Sequence, residues 1–135
     1  MRPSLQAQFN SLKQNQEKGL LILIDPDKPP QDLPAFLQKA EAVGGRAILV
    51  GGSLTLGTEI QQLIPAIKLA TSRPVILFPG SSHQVTSTAD GILLLSLISG
   101  RNPDLLIGRH VEAAPLIAAA GLEVLPTGYM LIEAG

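Results

Sequence analysis

Four groups of polar and small residues stand directly behind apolar runs, and they carry most of the chemistry this chain can offer. They are Asp25-Pro26-Asp27-Lys28, Gly51-Gly52-Ser53, Pro79-Gly80-Ser81-Ser82, and Ser96 with Ser99-Gly100-Arg101-Asn102-Pro103. Asp25 follows Ile24 directly, at a point where a rigid strand end can aim a carboxylate at a hard cation. Mg²⁺ typically takes one or two protein carboxylates and completes its shell with water and phosphate oxygens. Asp25 is therefore the better metal-ligand candidate of the two aspartates. The competing reading is that Asp-Pro only starts a turn and that Asp27 pairs with Lys28 at the surface.

Gly51-Gly52-Ser53 can bring backbone N–H groups and a hydroxyl close to a phosphate or a metal, because glycine has no side chain to block the approach. The same residues are also ordinary loop and cap chemistry. They do not form a P-loop, since no Gly-Lys-Ser or Gly-Lys-Thr follows. Arg101 and Asn102 precede a proline that opens a helix, a position suited to an anion. Arg101 has surface alternatives in Asp90 and Asp104. Tyr129 and Glu133 flank Met130-Leu131-Ile132, and their spacing puts them on one face of either a strand or a helix. Tyr129 is otherwise a rim aromatic. His83 and His110 have no second ligand at metal-binding spacing and read as non-catalytic. Lys68 and Arg73 read as solvating the far end of a crossover.

These groups need elements to hold them. The runs Leu20 to Ile24, Ala47 to Val50, Val75 to Phe78 and Ile92 to Leu95 are almost uninterruptedly apolar, and Leu122 to Leu125 is a weaker fifth. Continuous runs suit strands covered on both faces, as in a parallel sheet. Between them, Asp32 to Val43 opens on an N-cap aspartate and closes at Gly44-Gly45. Thr58 to Ala70 carries an apolar stripe, and Asp104 to Ala120 starts after Pro103 and ends at Gly121. Gly80 to Asp90 is polar and weakly helical, and Ser4 to Glu17 reads as a leading helix. Strands starting about every 25 residues give the cadence of βαβ units. An open doubly wound sheet and a (β/α)₈ barrel share that cadence, and both gather ligands at the carboxyl ends of the strands.

The 135 residues suit one domain with a real core. Residues 1–135 are read as that domain. Apolar residues make up 45% of the chain, and Phe9, Phe36, Phe78 and Tyr129 are the only aromatics, so the core is aliphatic. A net charge of −1 and so few rings argue against nucleic acid as a partner. The absence of cysteine fits a reducing compartment. With no signal-like N-terminus and no run approaching the roughly 20 apolar residues of a membrane span, the expectation is a soluble, cytoplasmic protein.

Taken together, Leu23-Ile24-Asp25-Pro26-Asp27-Lys28, Val50-Gly51-Gly52-Ser53, Leu77-Phe78-Pro79-Gly80-Ser81, Ser99-Gly100-Arg101-Asn102-Pro103 and Tyr129-Met130-Leu131-Ile132-Glu133 resemble the geranylgeranylglyceryl phosphate synthase family. The resemblance implies a parallel (β/α) barrel of TIM type, here with about five of its eight strands. It implies Mg²⁺-dependent transfer of a polyprenyl group from its diphosphate to the C3 hydroxyl of sn-glycerol 1-phosphate, releasing pyrophosphate in lipid biosynthesis. By matching motif, Asp25 and Ser53 would hold the Mg²⁺. Tyr129 and Glu133 would contact the glycerol phosphate, with Glu133 placed to act as a base. Arg101, Asn102 and Gly52 join the substrate-binding set. The prenyl tail needs an apolar groove, to which the helix from Leu105 to Ala120 can contribute.

A complete barrel takes about 200 or more residues. The later strands, with the glycine-rich loops that grip the glycerol phosphate, are expected outside this chain. The alternative is a non-catalytic half-barrel that binds metal diphosphate or only self-associates, since two sheet edges and an apolar face invite homo-oligomers. Membrane contact is expected to be at most peripheral, through the lipid product.

Overall fold

The computed structural model of the chain describes residues 3–52 and 58–132. Strands β1 (Leu20–Ile24), β2 (Gly45–Val50), β3 (Val75–Leu77), β4 (Gly91–Leu97) and β5 (Glu123–Tyr129) form one parallel sheet. Helix α1 (Leu5–Gln14) precedes it, and α2 (Leu33–Ala42), α3 (Thr58–Ala70) and α4 (Arg109–Ala120) are crossovers. Local chemistry sets the helix ends. Ser4 Oγ accepts from Ala7 N at 3.1 Å, and Asp32 Oδ1 accepts from Ala35 N at 3.0 Å. Pro34 occupies the first turn of α2, where its missing N–H costs nothing. Gly121, at φ +65°, closes α4 in the left-handed conformation.

Strand order decides between the two architectures that share this cadence. The order is β1-β2-β3-β4-β5, with no reversal. A doubly wound sheet reverses at a switch point and carries helices on both faces, whereas a barrel winds in one direction with its helices outside. Here α2, α3 and α4 all pack on one face, through Leu37, Ile60, Ile64, Ile67 and Ile117 against Ile24, Ile48, Val50, Val75, Leu77 and Ile92. The other face holds Ala47, Ile76 and Leu125 with Leu21, Leu49 and Leu93, and α1 covers it with Leu5 and Phe9. The period of two along each strand thus separates an outer layer from a barrel interior. The chain is a five-stranded arc of a (β/α) barrel.

Three elements differ from the sequence reading. Between β3 and β4 there is a 3₁₀ turn, Ser82–Gln84, where a weak helix was expected. The chain from Asp104 to Ala120 begins as a π-helical turn, Asp104–Gly108, in which Arg109 N returns to Asp104 O, five residues back. Strand β5 runs on to Tyr129, well past the expected Leu125. The long β4 supplies partners as far as Leu97 beside Tyr129, and Pro126 is tolerated because β5 is an edge strand among the described residues. Lys68 is also not a merely solvated end. Its Nζ lies 2.8 Å from Asp90 Oδ1 and 3.1 Å from Thr88 O, while Asp90 Oδ2 accepts from Val75 N at 2.8 Å. Asp90 and Lys68 therefore tie α3 to the entrances of β3 and β4. Arg73 is half-buried rather than fully solvated.

The floor of the arc is closed by a charge. Glu123, the first residue of β5, accepts from Leu5 N at 2.7 Å and Gln6 N at 2.9 Å, using both carboxylate oxygens. These are free N–H groups of the α1 amino terminus, where a negative charge also meets the positive end of the helix dipole. Substituting Glu123→Ala should lower stability by about 1–2 kcal/mol. In urea denaturation this will appear as a lower midpoint at an unchanged slope.

Candidate functional site

Because all five strands are parallel, their carboxyl ends lie along one rim, and Asp25, Gly52 and Gly80, which follow β1, β2 and β3, lie on it. Asp25 continues the inward parity of Leu21 and is half-buried. Its Oδ1 accepts from Asp27 N at 3.0 Å, and its carbonyl accepts from Lys28 N at 3.0 Å. The Asp-Pro turn is thus real, and it orients the carboxylate instead of competing with a ligand role. Oδ2 carries no described hydrogen bond. No Asp27–Lys28 ion pair occurs among the described ion pairs.

In the β2 loop, the glycine that permits close approach is Gly51. A Cβ on Gly51 would stand 1.8 Å from Phe78 O, so the ends of β2 and β3 meet backbone to backbone. The contact is stitched by Phe78 N donating to Val50 O at 2.8 Å and Gly51 N donating to Ile24 O at 3.3 Å. Gly52 sits beside it with its carbonyl engaged by Gln84 Nε2 at 2.7 Å. Ser53 and Glu133 lie outside the described residues.

Tyr129 ends β5 and meets Phe78 edge to face, with ring centroids 6.1 Å apart at 76°. Its carbonyl accepts from Ile98 N at 2.9 Å. Met130, Leu131 and Ile132 follow as exposed residues rather than as strand, with Leu131 N held by Ser99 Oγ at 3.0 Å. Arg101 and Asn102 are exposed and stand apart from this cluster. Asn102 Oδ1 caps the turn that follows, accepting from Asp104 N at 3.0 Å. Arg101 pairs with neither Asp90 nor Asp104.

Behind the rim lies a cavity of about 390 Å³, within the range of small-ligand sites. Leu94, Leu105, Ala113 and Ile117 give it apolar walls, and Tyr129 stands at its edge. It opens where the 3₁₀ turn takes the place of a third crossover helix, which leaves the flank of α4 against β4 unfilled. The expectation that the segment from Leu105 to Ala120 contributes to a groove is met by Leu105, Ala113 and Ile117. Sequence reasoning missed Gln84, and it read His110 only as non-catalytic. His110 lines this cavity with Nε2 against Leu95 O. A lone glutamine in a Ser/Thr-rich segment carries no periodic signal, so only the fold reveals it.

Among the described residues no three His, Asp or Glu side chains gather as a metal cluster, and no helix is long and apolar enough to cross a membrane. Adding a methyl at the β2–β3 contact should be severe. Gly51→Ala is expected to cost about 3 kcal/mol or more, because the obstacle is backbone rather than a movable side chain. Thermal denaturation followed by circular dichroism will measure it.

Comparison with known proteins gives the same picture. The PcrB family signature matches residues 12–135. The geranylgeranylglyceryl phosphate synthase of Spirosoma linguale is 50% identical over 119 residues, which are 87% of this chain and 48% of that protein. The enzyme of that name from Methanopyrus kandleri is 37% identical over 113 residues, covering 83% and 47%. The crystal structure of (S)-3-O-geranylgeranylglyceryl phosphate synthase from Thermoplasma acidophilum in complex with its substrate sn-glycerol-1-phosphate superimposes with a TM-score of 0.84 at 31% identity. It covers 99% of this chain and 55% of that one. The wild-type GGGPS from Thermoplasma volcanium gives 0.87 at 32%, covering 98% and 54%. The chain spans about half the length of the relatives it matches.

Proposed function

The chain belongs to the PcrB family, and from that premise we propose that it serves in the Mg²⁺-dependent transfer of a geranylgeranyl group from its diphosphate to the C3 hydroxyl of sn-glycerol 1-phosphate. In this reaction the allylic C–O bond to the diphosphate breaks, an ether bond to the C3 oxygen forms, the hydroxyl proton passes to a base, and pyrophosphate leaves. The observations that carry the reading are a half-buried carboxylate at the carboxyl end of β1 and an apolar cavity that opens beside the loop after β3 of the same parallel sheet. Such a pairing suits a ligand with a polyanionic head and a long hydrocarbon tail. The relatives named for this activity support the same assignment.

Asp25 and Ser53 would hold the Mg²⁺. When bound, Mg²⁺ offsets the negative charge that builds on the departing diphosphate. The chain's own residues do the rest. The Asx turn at Asp25 keeps the carboxylate pointed at the rim, and the Gly51 contact keeps the β2 loop beside it. Leu94, Leu105, Ala113 and Ile117 take the tail out of water, at a gain of about 0.8 kcal/mol per buried CH₂. Tyr129 would meet the acceptor, with Glu133 as the base, and Gly52 would add a backbone contact to substrate, whereas Arg101 and Asn102, exposed and apart from the cluster, are given no such role.

A second reading, a non-catalytic half-barrel that binds metal diphosphate or only self-associates, has one feature in favour of its self-association. Val124 and Pro126 on the outer face of β5 are exposed and covered by no described helix.

Asp25→Asn keeps an oxygen to accept from Asp27 N but removes the charge. It should alter stability by less than about 0.5 kcal/mol, while Mg²⁺-dependent binding of geranylgeranyl diphosphate falls at least about tenfold. Calorimetric titration with and without Mg²⁺ measures this, and unchanged binding would sink the metal assignment. A radiolabel transfer assay to sn-glycerol 1-phosphate separates the two readings, since binding without transfer supports the second. Ala113→Trp should narrow the cavity and shift preference toward shorter prenyl diphosphates. The ratio of kcat/KM for geranyl and geranylgeranyl donors will show it.

A further inference from the structure

Gln84 is the one buried polar side chain among the described residues, 2% exposed in an otherwise aliphatic core. Its position is set by the 3₁₀ turn Ser82–Gln84, whose backbone bond from Gln84 N to Ser81 O spans 3.2 Å. The carboxamide faces two loops at once. Nε2 donates to Gly52 O at 2.7 Å, and Oε1 accepts from Gly80 N at 2.9 Å. Gly52 belongs to the loop after β2, beside the Gly51–Phe78 contact. Gly80 belongs to the loop after β3, where Gly80, Ser81 and Ser82 line the cavity.

Both bonds go to loop backbone groups, outside any strand ladder. The carboxamide is the buried partner, and a buried polar group left without its partners costs more than the bond itself contributes, so Gln84 holds both loops to it. Burying a glutamine where an aliphatic residue would fit also carries a desolvation cost, which only such paired bonds offset. The other crossovers each carry an α-helix, α2, α3 or α4. Here the crossover is one short turn, and a single side chain joins the two loops.

We infer that Gln84 is a positioning residue, setting the spacing between the β2 loop that meets the diphosphate and the β3 loop that lines the prenyl cavity, so that head and tail of one ligand are held in register. The inference rests on the functional reading above. It assigns Gln84 no contact with substrate. Because the joint and the ligand stabilise the same loop arrangement, each must strengthen the other by the same factor.

The test uses the full chain and two probes, Mg²⁺-pyrophosphate for the head alone and geranylgeranyl diphosphate with Mg²⁺ for head and tail. Gln84→Met keeps the length without the bonds, and Gln84→Glu keeps the acceptor without the donor. Glu123→Ala serves as a lesion of stability at the opposite end of the sheet. Both Gln84 variants are expected to bind both probes about tenfold more weakly than wild type, whereas Glu123→Ala binds as wild type does. Wild-type binding by a folded Gln84→Met overturns the inference, as does an equal loss in Glu123→Ala. Failure of the wild type to bind either probe instead overturns the functional reading beneath it. Should both Gln84 variants prove unfolded, hydrogen exchange on the wild type decides. The Gly80 amide must exchange more slowly when Mg²⁺-pyrophosphate is bound, and an unchanged rate overturns the joint.

Discussion

Each described strand pairs only with its neighbours in the chain, β2, β3 and β4 on both sides and β1 and β5 on one. Each crossover must therefore return over the same face of the sheet, with the same hand. That single constraint curves the sheet, because helices crowd one side while the other side closes on itself. It also places all strand exits on one rim and all strand entrances on the other. The division between a polar rim and a floor sealed by α1 follows from this winding, before any particular side chain is considered. Inward and outward residues then sort by parity, which is why Ile24 is buried under helices while Asp25, one residue later, falls on the ligand side.

The winding also explains which parts of the fold were legible in the sequence. Continuous aliphatic runs marked β1 to β4, because both faces of those strands are covered. Asp32 and Gly121 marked helix ends, because capping is a local matter. The order of the strands had no local signature, and so barrel and open sheet stayed undecided until the pairing itself was visible. Strand β5 was cut short in the reading because Pro126 and Gly128 are poor strand residues. It extends because β4 offers a ladder as far as Leu97, a tertiary effect that overrides propensity. The π-helical turn was invisible for a related reason: its apolar residues keep helical spacing closely enough to pass for an ordinary helix.

The site was legible to a different degree. Asp25, Gly52 and Tyr129 arrive on the rim as their positions after apolar runs implied. The turn reading of Asp25 holds, since one carboxylate oxygen closes the turn by accepting from Asp27 N. The choice between Gly51 and Gly52 for the close approach depends on a carbonyl 27 residues away, at Phe78, and no spacing rule could supply it. Gln84 lies further still from any motif. Its meaning comes wholly from two loops that the fold brings to it, and Arg101, prominent in the sequence, stays in solvent.

The latch between Glu123 and the amino terminus of α1 joins residues 118 and 117 positions apart. During synthesis α1 is made well before its carboxylate partner. At translation rates of about 5–20 residues per second, the helix waits on the order of 6–24 seconds for Glu123 to appear. Throughout that interval Leu5 and Phe9 have no Leu125 to meet, and the inward faces of β1 and β2 are open to whatever binds nascent apolar segments. A residue at the start of the last described strand thus sets how long the first described helix stands without its latch.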